Sequence, residues 1–235
     1  MPCLVTDITV FFPNKQSSSF SNGAGRMKPR AEVSFTLEGD GSHCDGVRKQ
    51  WVPPRVARAF LKDLPAFPCE YETASAALDG LEKKLCLIHL TEMLGRRDYG
   101  RGEAERKLIL SGFRPTAVSY ALERAQELNF LSEERFLASY IEERIRRGWG
   151  RRKIEADLRS RGSDPHELPG YPDDFFSPED DFERACALLK RKSIPKDRVF
   201  ERFVRHLMAK GFTYDVASRA ARARLEDEAE EPDTM

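Results

Sequence analysis

Apolar residues along this chain follow two different periods, one before and one after residue 80. Residues 31–38 alternate strictly between apolar and polar, and residues 4–12 are rich in β-branched and aromatic side chains. Both patterns are typical of strands, so they predict a strand pair with a Ser- and Gly-rich loop between them at 14–30. Pro53 and Pro54 then predict the start of a short helix.

From residue 81 onward the apolar residues recur every three or four positions, which predicts helices. The predicted helices are 81–94, about 102–110, 116–128 with Thr116 as N-cap, one from the N-cap Ser132 to Gly148, 151–161, and three more whose apolar positions begin at Phe182, Val199 and Val216. Residues 163–178 interrupt this series, because they contain four prolines and only a weak apolar period. A helix is therefore missing from the place where the pattern leads us to expect one.

A leucine four residues before a glycine recurs along the helical part, with steps of 50 and 49 residues between the glycines. The pairs are Leu108 with Gly112, Leu158 with Gly162, and Leu207 with Gly211. Leucine suits the last core position of a helix, and glycine one turn later suits a left-handed residue that ends it. The spacing predicts a mostly α-helical fold of tandem three-helix repeats, which form an elongated, curved body after a small N-terminal strand pair.

The expected organisation has five parts. They are an N-terminal segment at 1–80 with a β-hairpin and a mobile loop, repeat 1 at 81–130, repeat 2 at 131–180 with an irregular proline-rich acidic end, repeat 3 at 181–225, and an acidic tail at 226–235.

The zero net charge hides a segregation of charge along the chain. Residues 81–162 carry 18 basic and 13 acidic side chains, and 182–225 carry 12 and 4. Two short stretches, 163–181 and 226–235, carry 7 and 6 acidic side chains and no basic one. The repeats are therefore basic, which favours an anionic partner such as nucleic acid or an acidic protein surface.

The remaining composition narrows the class of protein. Five cysteines without CxxC spacing argue against a disulfide framework and a zinc ribbon. No run of 18 apolar residues and no secretory signal pattern is present, so we expect a cytoplasmic protein with no membrane segment. Phosphate-loop, HExxH and GxSxG motifs are absent, and the polar turn around Asp40, His43, Cys44 and Asp45 lacks the pattern of a calcium loop. We predict no enzyme activity, no catalytic or metal-binding residue and no cofactor.

Two stretches of the helical part carry a family resemblance. LGRRDYGRGEAERKLILSGF at 94–113 and NFLSEERFLASYIEERIRRGWGRRKIEADLRSRG at 129–162 resemble the RecX family of recombinase regulators, and the block at 183–212 fits its last repeat. This resemblance implies a cytoplasmic protein that binds the RecA filament and lowers its ATPase, strand-exchange and coprotease activities in recombination, DNA repair and the SOS response. We expect the protein to be a monomer. It implies no catalysis by the chain itself.

Basic residues cluster at the turns of all three repeats, and we take them as candidate partner-binding residues. The groups are Arg96, Arg97 and Arg101 in repeat 1, then Arg144, Arg146, Arg147, Arg151, Arg152 and Lys153 in repeat 2, and Lys190, Arg191 and Lys192 in repeat 3. The basic residues at 151–153 open a helix, where cations oppose the helix dipole, so they lack an obvious helix-stabilising role.

The sequence leaves alternatives open for these groups. The repeat 2 group either meets acidic groups of the recombinase and phosphates of its DNA, or is a solvated helix junction. Trp149 either stacks on a base or packs over its own turn. A competing function is a helical module that binds single- or double-stranded DNA directly through the basic track.

Overall fold

The structure is a computed structural model that describes residues 3–14, 27–39 and 46–230, with side chains described as far as residue 227. The chain divides into two compact units, Met1–Leu131 and Ser132–Met235. Among the described residues, helices predominate and the strands form one small antiparallel sheet in the first unit. The predicted mostly helical fold with N-terminal strands is confirmed.

The sheet of the first unit has four strands in the order β3-β2-β1-β4. The strands are β1 at Leu4–Phe11, β2 at Ala31–Glu38, β3 at Gly46–Val52 and β4 at Cys69–Glu70. The predicted pair forms the two central strands, with Ile8 opposite Phe35. Prediction missed β3 because only Val52 of its residues is buried, so its side chains show no apolar alternation.

Four helices pack with this sheet around one apolar core. They are α1 at Pro54–Phe60, α2 at Tyr71–Leu94, α3 at Arg101–Leu110 and α4 at Pro115–Glu127. The core runs without interruption through the segment expected at 1–80 and the helices expected for repeat 1.

Two boundary predictions in this unit are wrong. Helix α2 begins ten residues before the predicted position 81, because its first three turns bury only Ala74 and Leu78 and so show a weak apolar period. Thr116 is not an N-cap, since Pro115 already occupies the first turn of α4 and Arg114 is the capping residue. Proline is favoured at that position because its missing N–H would have no partner inside the helix.

One cysteine forms a disulfide bond, although the cysteine spacing argues against a disulfide framework. Cys3 is disulfide-bonded, whereas Cys69, Cys86 and Cys186 are free. An odd number of cysteines argues against a framework in which every cysteine is paired, but it is compatible with a single disulfide bond. Burial raises the pKa of the Cys86 thiol to about 12, which keeps it protonated and inert.

The second unit contains five helices among its described residues. They are α5 at Glu133–Arg146, α6 at Arg151–Arg161, α7 at Pro178–Lys190, α8 at Val199–Lys210 and α9 at Tyr214–Glu230. Ser132 is confirmed as the N-cap of α5, since its hydroxyl accepts a hydrogen bond from the Arg135 peptide nitrogen at 3.2 Å. The first residues of the expected acidic tail extend α9, and 231–235 lie outside the described residues.

The proline-rich segment after α6 contains no α-helix, and every one of its residues is described. It makes a single 3-10 turn at Pro165–Glu167 and then a series of turns. Leu168 is buried in the core formed by α5 and α6, and Tyr171, Phe175 and Phe176 pack against it. Aromatic side chains from turns therefore cover the core of repeat 2, where repeats 1 and 3 use a helix.

The Leu-x-x-x-Gly pattern has the predicted geometry. All three leucines are fully buried, and Gly112, Gly162 and Gly211 adopt left-handed φ angles of 94°, 80° and 98°. The glycines end their helices as predicted.

Candidate partner-binding surface

The repeat 1 group lies between α2 and α3, and two of its three arginines are engaged inside the unit. A guanidinium nitrogen of Arg97 lies 2.5 Å from a carboxylate oxygen of Glu103, which is buried, and the same guanidinium packs over a tyrosine ring at 3.7 Å. Arg101 donates a hydrogen bond to the side chain of Gln126. Arg96 is exposed. The structure thus gives Arg97 and Arg101 a role in the fold.

The arginines that end α5 also have partners in repeat 2. Arg146 and Arg147 pair with carboxylates one turn earlier, Glu142 at 3.8 Å and Glu143. Arg144 instead lies between two rings, 4.5 Å from that of Tyr140 and 4.9 Å from that of Trp149. Trp149 belongs to the apolar cluster of repeat 2, so the structure favours its packing over the turn.

The basic residues that open α6 differ from one another in their contacts. Arg151 pairs with Glu155 at 2.7 Å, and the amine of Lys153 lies 4.3 Å from the Trp149 ring. Arg152 is exposed, and its side chain forms no ion pair with any described residue. The expectation that these three residues lack a helix-stabilising role is therefore wrong for Arg151, which pairs along its own helix, and stays a prediction for Arg152 and Lys153.

Glu155 links the opening of α6 to the proline-rich segment. The Tyr171 hydroxyl donates to a carboxylate oxygen of Glu155 at 2.8 Å, and Arg151 pairs with the same oxygen. Burial, together with the hydrogen bond to Glu155, raises the pKa of the Tyr171 hydroxyl, which keeps it a donor. The segment is thereby tied to the helix that carries the basic residues.

The turn between α5 and α6 is bonded to the end of α8. The peptide nitrogens of Gly150 and Arg152 donate to the carbonyl oxygens of Lys210 and Gly211, at 2.8 and 3.2 Å. A Cβ atom on Gly150 would lie 2.5 Å from the backbone of Gly211, and one on Gly211 would lie 2.5 Å from the backbone nitrogen of Lys153. Glycine is required at both positions because two backbones meet there.

This arrangement brings basic residues from two repeats to one place. We call Arg152, Lys153 and Lys210 the junction cluster, because their backbones adjoin at these contacts. Lys210 was not among the predicted residues. No local pattern reveals it, since the contact joins positions 60 residues apart.

One member of the repeat 3 group, Lys192, lines an open cavity of about 540 Å³ beside α8. Lys190 and Arg191 are exposed, and Lys192 lies within 3.5 Å of the His206 ring nitrogen Nδ1. Arg202 and Arg205 also line the cavity, and neither is among the residues predicted from the sequence. Their spacing of three and four residues along a helix, together with His206, is the signal that could have identified them.

The described residues contain no group of three or more His, Cys, Asp or Glu side chains able to hold a metal ion. The turn with Asp40, His43, Cys44 and Asp45 lies outside the described residues. Within the described part of the chain, none of the helices is both long enough and apolar enough to cross a membrane.

Helical repeats with basic side chains at their turns place this chain in the helical-repeat class of folds. Residues 132–165 match the family model described as RecX, second three-helix domain. The regulatory protein RecX of Pseudomonas fluorescens is 41% identical over 71 residues, which cover 30% of this chain and 46% of that protein. The chain thus spans about half the length of this relative. The regulatory protein RecX of Haemophilus ducreyi is 27% identical over 135 residues, or 56% of this chain and 87% of that protein.

Two solved structures have the same fold. The crystal structure of RecX from Lactobacillus salivarius aligns with a TM-score of 0.52 at 16% identity, covering 60% of this chain and 96% of that one. A crystal structure of regulatory protein RecX aligns with a TM-score of 0.52 at 17% identity, covering 91% of this chain and 96% of that one. The resemblance to the RecX family of regulatory proteins, drawn from the sequence, is confirmed.

Proposed function

We propose that this protein binds RecA recombinase filaments and inhibits their ATPase, strand-exchange and coprotease activities. The similarity to regulatory RecX proteins supports this function, because the family resemblance implies binding along the filament. The protein acts by contact, as a cytoplasmic monomer without a cofactor.

The observation that carries the proposal is the backbone junction between repeats 2 and 3. It holds the junction cluster, Arg152, Lys153 and Lys210, on a scaffold fixed by two interrepeat hydrogen bonds. A basic group whose backbone is fixed binds an acidic surface with little loss of backbone entropy. Contact at this cluster would bridge neighbouring filament subunits and restrict filament extension or nucleotide turnover.

Ion pairs within the protein let us rank the candidate residues by their expected contribution to partner binding. Arg146, Arg147 and Arg151 each have a carboxylate one turn away on their own helix, so part of their charge is already compensated. Arg152 has no such partner among the described residues, and the amine of Lys153 lies over the Trp149 ring, with no carboxylate paired to it among the described residues. We therefore expect Arg152 and Lys153 to contribute more to binding than the three paired arginines.

The test is inhibition of the DNA-dependent ATPase of preformed RecA filaments. The double variant Arg152→Glu/Lys153→Glu is expected to need about tenfold more protein for half-inhibition, since two attractive contacts become repulsive. The variant Lys62→Glu/Lys84→Glu is the matched control, because it makes the same charge change at two exposed lysines of the first unit. Circular dichroism checks that helix content is unchanged. Equal inhibition by the double variant and the wild type would remove the junction cluster from the mechanism.

Direct DNA binding is the competing function, and a second measurement separates the two. Binding to bare single-stranded DNA is measured over a range of salt concentrations, where each neutralised phosphate contributes about 0.7 to the slope of log K against log salt. We expect weak bare-DNA binding that the double variant leaves unchanged. Tight binding with a steep slope that Arg152→Glu/Lys153→Glu reduces would favour the DNA-binding function instead.

A further inference from the structure

Helix α8 separates two open grooves on the exposed side of repeat 3. The first is the cavity of about 540 Å³ described above, and the second has about 490 Å³. Arg205 and Ala209 line both grooves, so the grooves adjoin along the helix. Residues four apart on a helix lie one above the other, which makes this shared edge a continuous stripe.

The first groove is basic throughout. Its charged and titratable lining residues are Lys192, Arg202, Arg205 and His206, with no carboxylate among them. Arg202 and Arg205 are exposed and form no ion pair with any described residue. Burial lowers the pKa of His206, and the nearby charges of Lys192 and Lys210 lower it further. Like charges gathered without a counterion favour an anionic group in this groove.

The second groove is mostly apolar. Phe200, Val204, Met208 and Tyr214 line it, and Met208 and Tyr214 expose 44% and 59% of their surfaces. Methionine adapts its shape to irregular apolar side chains, and it is common at surfaces that bind peptides. Glu201 also lines this groove and would repel a sugar-phosphate backbone that crossed it.

We propose that the exposed side of α8 is a docking surface for a protein segment in which acidic side chains stand next to apolar ones. The carboxylates enter the basic groove beside Arg202 and Arg205, and the apolar side chains enter the groove beside Met208. This inference rests on the proposed function and deepens it, because it states the chemistry of the recombinase segment that repeat 3 recognises. Charge complementarity selects the first half of the segment, and the apolar lining selects the second.

The experiment uses the full chain and synthetic peptides, without recombinase. The probe is the labelled peptide Glu-Glu-Leu-Leu-Phe-Glu, and two matched peptides replace either its acidic residues by Gln or its apolar residues by Ser and Thr. Binding is followed by NMR shifts of the Met208 methyl group and the His206 ring. We expect only the probe to shift both signals, and its Kd to rise about tenfold in Arg202→Glu/Arg205→Glu.

Two further variants separate the contributions of the grooves. Met208→Gln should weaken binding of the probe peptide while leaving the direction of the His206 shift unchanged. Lys62→Glu/Lys84→Glu should bind the probe peptide as tightly as the wild type does. The proposal fails if the Gln peptide binds as tightly as the probe, if no peptide binds, or if a single-stranded oligonucleotide displaces the probe. Peptide binding without ATPase inhibition would overturn the proposed function alone, whereas inhibition without peptide binding would overturn the docking surface alone.

Discussion

The peptide nitrogen of Gly150 donates a hydrogen bond to the carbonyl oxygen of Lys210, 2.8 Å away and 60 residues later in the chain. This bond joins the turn of repeat 2 to the end of the second helix of repeat 3. Because the two backbones touch, a Cβ atom on Gly150 would lie 2.5 Å from backbone atoms of both Gly211 and Phe212. The two repeats are thus held together by peptide groups as well as by side chains.

We predict that Gly150→Ala lowers the free energy of unfolding of the second unit by about 2 to 3 kcal/mol, because backbone atoms must move apart to admit the methyl group. Urea unfolding followed by Trp149 fluorescence in a Trp51→Phe background measures it. The matched control is Gly80→Ala in α2, where nothing lies within 4 Å of the new atom. That change, followed by Trp51 fluorescence in a Trp149→Phe background, should stabilise the first unit by about 0.5 to 1 kcal/mol, as in other exposed helix interiors. Equal effects of the two substitutions would contradict the junction.

We predict that Tyr171→Phe costs about 1 kcal/mol, since it removes the hydrogen bond to Glu155 and keeps the ring. Tyr171→Ala should cost about 3 to 5 kcal/mol, because the ring packs against Phe175 and Phe176 in the cover of repeat 2. Thermal unfolding measures both changes. Tyr120→Phe is the control, since that tyrosine is 42% exposed, and it should change stability little. A cost for Tyr171→Ala no larger than that for Tyr171→Phe would mean that the segment does not close the core.

We predict that Glu82→Gln costs about 2 to 4 kcal/mol in the first unit. Glu82 is fully buried and accepts hydrogen bonds from the peptide nitrogen of Arg114, at 2.9 Å, and from its guanidinium. Asp79 pairs with the same arginine at 2.5 Å but is 45% exposed, so Asp79→Asn should cost less than about 1 kcal/mol. Both carboxylates pair with Arg114, so the two variants compare a buried carboxylate with an exposed one. Chemical denaturation of each variant measures its cost in unfolding free energy. Similar costs would show that burial does not set the strength of this pair.

We predict that the first unit loses stability as the pH falls through the range below about 6.5. Burial and the adjacent charge of Arg55 lower the pKa of His89 from its usual 6.5. The unfolded chain therefore binds the proton first, so the contribution is complete above 6.5 and is lost as the pH drops to the lowered value. His89→Gln should flatten the curve of unfolding free energy in this range. Carboxylates titrate at lower pH, and an unchanged curve in the variant would exclude His89 as the cause.

Local signals were sufficient for some elements and not for others. Helix α6 has the predicted bounds, 151–161, because glycines flank it on both sides. The start of α2 and the whole of β3 escaped prediction because few of their side chains are buried, and the apolar period reports only burial. Their positions depend on contacts with residues distant in sequence.

The candidate binding surface was likewise only partly predictable from the sequence. The pair Arg151 with Glu155 is readable from its spacing of four residues on a helix, and the spacing could have marked Arg151 as partly compensated. The adjacency of Lys210 to Lys153 could not be read, since it depends on how two repeats pack. The sequence thus indicates where basic residues concentrate, but tertiary contacts determine which of them are available to bind a partner.

The three glycines of the Leu-x-x-x-Gly pattern occupy equivalent places but tolerate change unequally. A side chain at Gly112 would meet the flexible Arg30 side chain at 3.1 Å, whereas one at Gly211 would meet the peptide backbone of repeat 2 at 2.5 Å. Asparagine, which also adopts left-handed angles, fits sterically at the first of these positions but not at the last. Positions that are equivalent in the sequence pattern therefore differ in the space around them, and the position with the least space is the one where two repeats join.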